Sequence, residues 1–81
     1  MKTEQTTGVI VEINGKDVTI TREVMDPKEA TMDDLIVFHF RSLDEEIVEQ
    51  LDLGDTVTIT HTLQFTRSIP PQGQATKIEK H

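Results

Sequence analysis

The stretch Gly8-Val9-Ile10-Val11-Glu12-Ile13-Asn14-Gly15-Lys16-Asp17-Val18-Thr19-Ile20-Thr21 decides the fold. Val9, Val11 and Ile13 alternate with Ile10 and Glu12 in a β-branched run of period two, the pattern of a half-buried strand. Asn14-Gly15 follows at once, and this dipeptide favours a type I′ turn, whose two central residues need positive φ. Alternation resumes over residues 17–22 with Val18 and Ile20 inward, so the segment reads as a β-hairpin.

Working outward, residues 23–34 lose the pattern. They are polar and acidic and include Pro27, which cannot donate to a sheet ladder, so they read as a long loop. Residues 35–40 are the densest apolar run, with Ile36, Phe38 and Phe40 on one face and Leu35, Val37 and His39 on the other; they predict a central strand. Ser42-Leu43-Asp44-Glu45 fits a capping box, so a short helix is expected from Ser42. Its apolar stripe would be Leu43, Ile47 and Leu51, while Asp44, Glu45, Glu46 and Glu49 suit the positive helix start. Leu53-Gly54-Asp55 turns into a fourth strand over 56–63, in which Val57, Ile59, His61 and Leu63 share a face. Residues 64–74 read as a second long connection, and 75–80 as a last strand that buries Ile78. The sequence thus predicts a mostly β fold, a five-stranded OB-like barrel with one short helix between strands 3 and 4. It forms a single domain over 7–80 after a disordered N-terminus, 1–6.

Composition limits the function. Fifteen acidic against eight basic residues give a charge of −7 on 81 residues. That field repels phosphate backbones and anionic membranes, so neither direct nucleic-acid binding nor membrane attachment is expected; basic protein surfaces and cations are attracted. The aromatic residues are Phe38, Phe40 and Phe65, with no Trp or Tyr to stack on flat ligands. The absence of cysteine excludes disulfides, a thiolate nucleophile and cysteine-ligated metals. No apolar stretch reaches the length of a signal h-region or a membrane span, so the chain as written is expected to be cytoplasmic. A chain whose leader had been removed would read the same and belong to the periplasm or the exterior.

Thr7-Gly8-Val9-Ile10-Val11, the hairpin into Val18-Thr19-Ile20, the methionine-bearing loop and Leu51-Asp52-Leu53-Gly54-Asp55-Thr56-Val57 together resemble small OB proteins of the periplasmic copper-chaperone family. The resemblance implies an OB barrel and a monovalent copper or silver ion held by soft thioether and imidazole donors. That family uses a strand histidine, a tryptophan and two closely spaced methionines. Here Met25 and Met32 stand seven residues apart, tryptophan is absent, and the strand position holds Ile20 or Thr21. The metal set this chain could offer is Met25, Met32, His39 and His61. A second resemblance, to the small OB chaperones of hydrogenase maturation, implies a cysteine next to the initiator methionine, where Lys2 stands.

Catalysis is not expected. Ser42 is assigned to the helix cap, Ser68 lies in a loop with no adjacent histidine, and the carboxylates fall on outer faces where nothing raises their pKa. His39 and His61, on the third and fourth strands, would face one site if those strands were neighbours; singly, each reads as satisfied by a carbonyl or water. His81 reads as a frayed terminus. Met25 and Met32 read as gap-fillers under a loop. Phe65, Arg67, Ile69, Pro70 and Pro71 place apolar groups on a loop, the rim with which such barrels bind. The expected function is a non-enzymatic small binding or adaptor barrel, without cofactor, that contacts a protein partner through this rim and the acidic surface. The alternatives are a monovalent copper-binding chaperone-like protein and an acidic decoy of a nucleic-acid-binding site.

Overall fold

The computed structural model describes residues 2–81. It contains β1 (Thr3–Asn14), β2 (Asp17–Thr21), β3 (Leu35–Phe40), α1 (Glu45–Glu49), β4 (Thr56–Phe65) and β5 (Gln72–Lys80). Two 3₁₀ turns, Pro27–Glu29 and Met32–Asp34, shape the β2–β3 connection. The strands close a barrel in the order β1-β2-β3-β5-β4, with β4 paired back on β1. The β3–β5 pair is parallel and the others antiparallel. With α1 between β3 and β4, this is the expected OB-like arrangement.

β1 is long because it serves two neighbours: Thr3–Val9 pair with β4, and Ile10–Asn14 with β2. At the handover stands Gly8, where a Cβ would lie 1.9 Å from the Thr21 carbonyl oxygen, so the backbones can cross only without a side chain. A bulge follows between Ile10 and Glu12. It takes Val11 out of the alternation, so Ile10 is fully buried and Ile13 still packs against the core. Strict period two would have put Ile10 and Ile13 on opposite faces.

The hairpin turn is centred on Gly15 and Lys16, between the paired Asn14 and Asp17. Among the described residues only Gly15 (φ 62°) and Gly54 (φ 93°) have positive φ. A type II′ turn needs positive φ at its first central residue alone, so this geometry replaces the expected I′ turn on Asn14-Gly15. Residues 3–6, expected to be disordered, are strand, because β4 supplies a complete partner for their backbone. Threonine hydroxyls reinforce the pairing, with Thr7 Oγ1 2.8 Å from Thr58 Oγ1. His81, expected to fray, donates its backbone N–H to the Thr56 carbonyl at 2.9 Å.

The core gathers Ile10, Val18, Ile20, Ile36, Phe38, Phe40, Leu51, Val57, Ile59, Ala75 and Ile78. The helix is capped by Asp44, whose carboxylate accepts from the Glu46 N–H at 3.0 Å, not by Ser42. The later start leaves Leu43 outside the helix and packed on the core, turns Val48 inward, and leaves Ile47 exposed. At the far end of β4 the register against β5 slips, His61 facing Ala75 and Phe65 facing Gly73. Three residues then oppose one, alternation is lost, and Leu63 turns outward instead of sharing the face of Ile59 and His61. Both strands run past their expected limits, so residues 66–71, not 64–74, connect them.

Candidate binding rim

Phe65 ends β4 with its ring laid on Gly73, where a Cβ would come within 2.6 Å of the ring. Phe38 and His61 stand behind it in T-shaped contacts, with centroids 6.1 and 5.2 Å away. The ring is therefore fixed on three sides, yet Phe65 stays 39% exposed. His61 is buried. Its Nδ1 donates to the Thr62 carbonyl at 2.7 Å, and the Thr6 hydroxyl, 2.7 Å from Nε2, satisfies the other nitrogen. The imidazole is thereby committed to supporting the aromatic cluster.

His39 lies on the opposite face of the barrel wall. Nδ1 is 2.6 Å from Asp17 Oδ1 and Nε2 is 2.8 Å from Gln72 Oε1, so the imidazole ties β2 to β5 across β3. The hydrogen bond to Gln72, and after it the one to Asp17, hold its pKa above the ordinary 6.5. Because β5 lies between β3 and β4, the two histidines expected on neighbouring strands do not meet. Met25 and Met32 sit in the connection that enters β3 at Leu35, four residues before His39 and about 13 Å along a strand rising roughly 3.3 Å per residue. Met32 is exposed. His39 and His61 thus do not share a site, and among the described residues no cluster of three His, Asp or Glu is arranged to hold a metal.

The connection after Phe65 is bound to itself. Thr66 N–H donates to the Gln72 carbonyl at 2.8 Å, and Gln72 N–H to the Thr66 hydroxyl at 3.0 Å. Val37 N–H anchors the Pro71 carbonyl at 3.0 Å. Of the expected contact residues, Phe65, Arg67 and Ile69 are exposed, while Pro70 and Pro71 are half-buried. Three shallow depressions surround this rim. One of about 470 Å³ is lined by His39, Gln64, Phe65, Thr66 and residues 72–74. One of about 240 Å³ is lined by Arg22, Ile36, Phe65 and Pro71. One of about 280 Å³ is lined by Lys2, Thr62, Leu63 and Gln64. The sequence reading placed Leu63 on the inner face and took 64–74 as the connection without singling out Gln64, Gln72 or Gln74; alternation runs unbroken from Val57 to Phe65 in the sequence, so nothing in it signals the slip.

The acidic surface lies elsewhere. Asp44, Glu45, Glu46, Glu49, Asp52 and Asp55 all precede β4, in a stretch from Ser42 to Thr66 that holds no Lys or Arg. Asp55 stands at the start of β4 and the rim at its end, ten residues on, while Glu45 and Glu49 of α1 line a depression with Gly15 and Lys16, next to the Asp17 that holds His39. No carboxylate residue lines the depressions around the rim, so the acidic residues flank it and do not form it.

No family model and no curated protein matches the chain. Two solved structures are similar. The crystal structure of a YobA protein from Bacillus subtilis shares 12% identity at a TM-score of 0.75, over 99% of this chain and 96% of that one. A solution structure of a fragment of Bacillus subtilis YobA shares 13% identity at a TM-score of 0.77, over 98% of this chain and 82% of that one. Likeness at this identity shows a common small barrel and does not show the expected relation to the copper chaperones.

Proposed function

We propose that this chain is a non-enzymatic binding barrel that contacts a protein partner through the end of β4 and the β4–β5 connection. One observation carries the reading: Leu63, Phe65 and Ile69, within seven residues of each other, remain 47%, 39% and 69% exposed. A domain this small has few apolar side chains to spare from its core, and clustered exposed ones are where association removes area from water. Phe65 is already immobilised on Gly73, so a partner that covers it gains contact with little loss of rotamer freedom. The flanking depressions can accept side chains from the partner.

The test is capture by the immobilised chain, compared with a Leu63→Ser, Ile69→Ser double variant whose melt shows an intact barrel. A partner retained by the parent and released by the variant is expected. If the folded variant retains every protein the parent does, the rim is not the contact.

A further inference from the structure

We infer that the partner segment seated on the rim is an acidic peptide with apolar anchors, an inference that rests on the rim reading above. The net charge of −7 argues for a basic partner, but the rim does not share that charge. No carboxylate residue lines any of its three depressions, whereas Lys2, Arg22 and His39 do. From Gln64 to Ile78 the charged side chains are Arg67 and Lys77 alone. Among the described residues the ion pairs are His39–Asp17, Lys77–Glu79 and Lys80–Asp55, so Lys2, Arg22 and Arg67 are free. Asp17 is already held by His39. The other carboxylates beside these residues are Glu4 in β1, Glu23 next to Arg22, and Asp34, whose carbonyl accepts the Arg22 N–H at 2.7 Å and whose carboxylate is held by Thr31.

Distance decides which charge a ligand meets. The screening length at physiological salt is about 8 Å, so a ligand seated in these depressions meets first the charged side chains that line them, Lys2, Arg22 and His39. Ligand shape decides between two anionic partners. An anionic membrane would need a convex apolar face on a chain it does not repel at long range. The rim is instead concave, and Gln64 and Gln74 line it with amides that have no side-chain partner, each able to donate to and accept from an extended peptide backbone.

The probes are three synthetic ten-residue peptides, each with two leucines among serines and four glutamates, four glutamines or four lysines. Each is titrated into the isotope-labelled full chain and followed by amide shifts. The glutamate peptide is expected to saturate shifts at Phe65, Arg67 and Gln74, and to bind about tenfold more tightly than the glutamine peptide. Arg22→Gln with Arg67→Gln, both at exposed positions, should remove that advantage without altering the melt. Rim binding by the glutamine or lysine peptide at equal or higher affinity overturns the acidic preference and leaves the rim reading standing. No rim shifts with any of the three overturns both. Sedimentation with phosphatidylserine vesicles, together with indifference to the glutamate peptide, overturns the inference in favour of a membrane.

Discussion

The two ends of β4 are built from opposite chemistry. At its start, the Gly54 N–H reaches the Ile10 carbonyl at 2.8 Å, and Asp55 accepts from the Asp52 N–H at 2.8 Å. Lys80 closes on Asp55 at 3.2 Å. The Asp52 N–H, and then Lys80, hold the Asp55 carboxyl below its usual pKa. Asp52 and Asp55 end a stretch of six carboxylates that begins at Asp44, and Leu51 is buried in the core. At its finish, β4 runs into a connection tied by Thr66 and Gln72, but what flanks that tie differs: one aromatic ring rests on one glycine, and the register slips. A whole-molecule charge averages two ends of unlike composition, so it describes neither.

The contrast between ends built on backbone fit and on side-chain fit can be broken most severely at the glycines. In Gly8→Ala the new methyl meets a backbone carbonyl, which cannot move without opening the β1–β2 junction. The loss should exceed about 3 kcal/mol and leave little folded protein in a domain whose total stability is near 5 kcal/mol. In Gly73→Ala the methyl meets the Phe65 ring, which can swing away. That change should cost about 1 to 2 kcal/mol and displace the ring while the barrel persists. Urea melts and the amide spectrum of the rim distinguish the two, and equal losses would erase the distinction.

A smaller effect sharpens the comparison along β4 and beyond it. Ile59→Ala, fully buried, should cost about 2 to 4 kcal/mol, and Ile69→Ala, 69% exposed, less than about 0.5 kcal/mol. Comparable melts would mean that Ile69 is covered within the monomer. The smallest effect is that of pH. His39 is raised in the folded state by Gln72 and Asp17, so its stabilisation is complete below the unfolded value of about 6.5 and is lost as pH rises through the folded pKa. Urea midpoints across that range should fall with rising pH in the parent and fall less in His39→Asn. Identical pH profiles would mean that the β2–β5 tie contributes nothing.

Legibility in the sequence followed the range of the forces involved. The alternation of Ile36, Phe38 and Phe40, the breaks at Gly15 and Gly54, and the helix between β3 and β4 are local signals, and they read correctly into an OB-like barrel. Thr3 to Thr6 carry no apolar pattern and are strand only because β4, more than fifty residues away, completes their hydrogen bonds. Asp44 displaces Ser42 as the cap because the core claims Leu43, a packing choice that propensity does not contain. Phe65, Arg67 and Ile69 were readable as exposed loop chemistry. The cationic, amide-lined surroundings were not, since Lys2, Arg22, His39 and Gln74 come from four strands or their ends and meet only when the barrel closes.

The pairing of Thr3–Val9 with β4 has a further consequence, for the behaviour of the protein at high concentration. β4 alternates Thr58, Thr60 and Thr62 with Val57 and Ile59, and β1 alone covers one side of its hydrogen-bonding backbone. Were residues 2–7 cleaved away, the edge of β4 from Thr58 to Thr62 would lose its partner and stand open, without Lys, Arg, Asp or Glu, to pairing with strands from other molecules. The polar opening of β1, unremarkable in composition, is in this sense the guard that keeps a threonine-rich strand from polymerising.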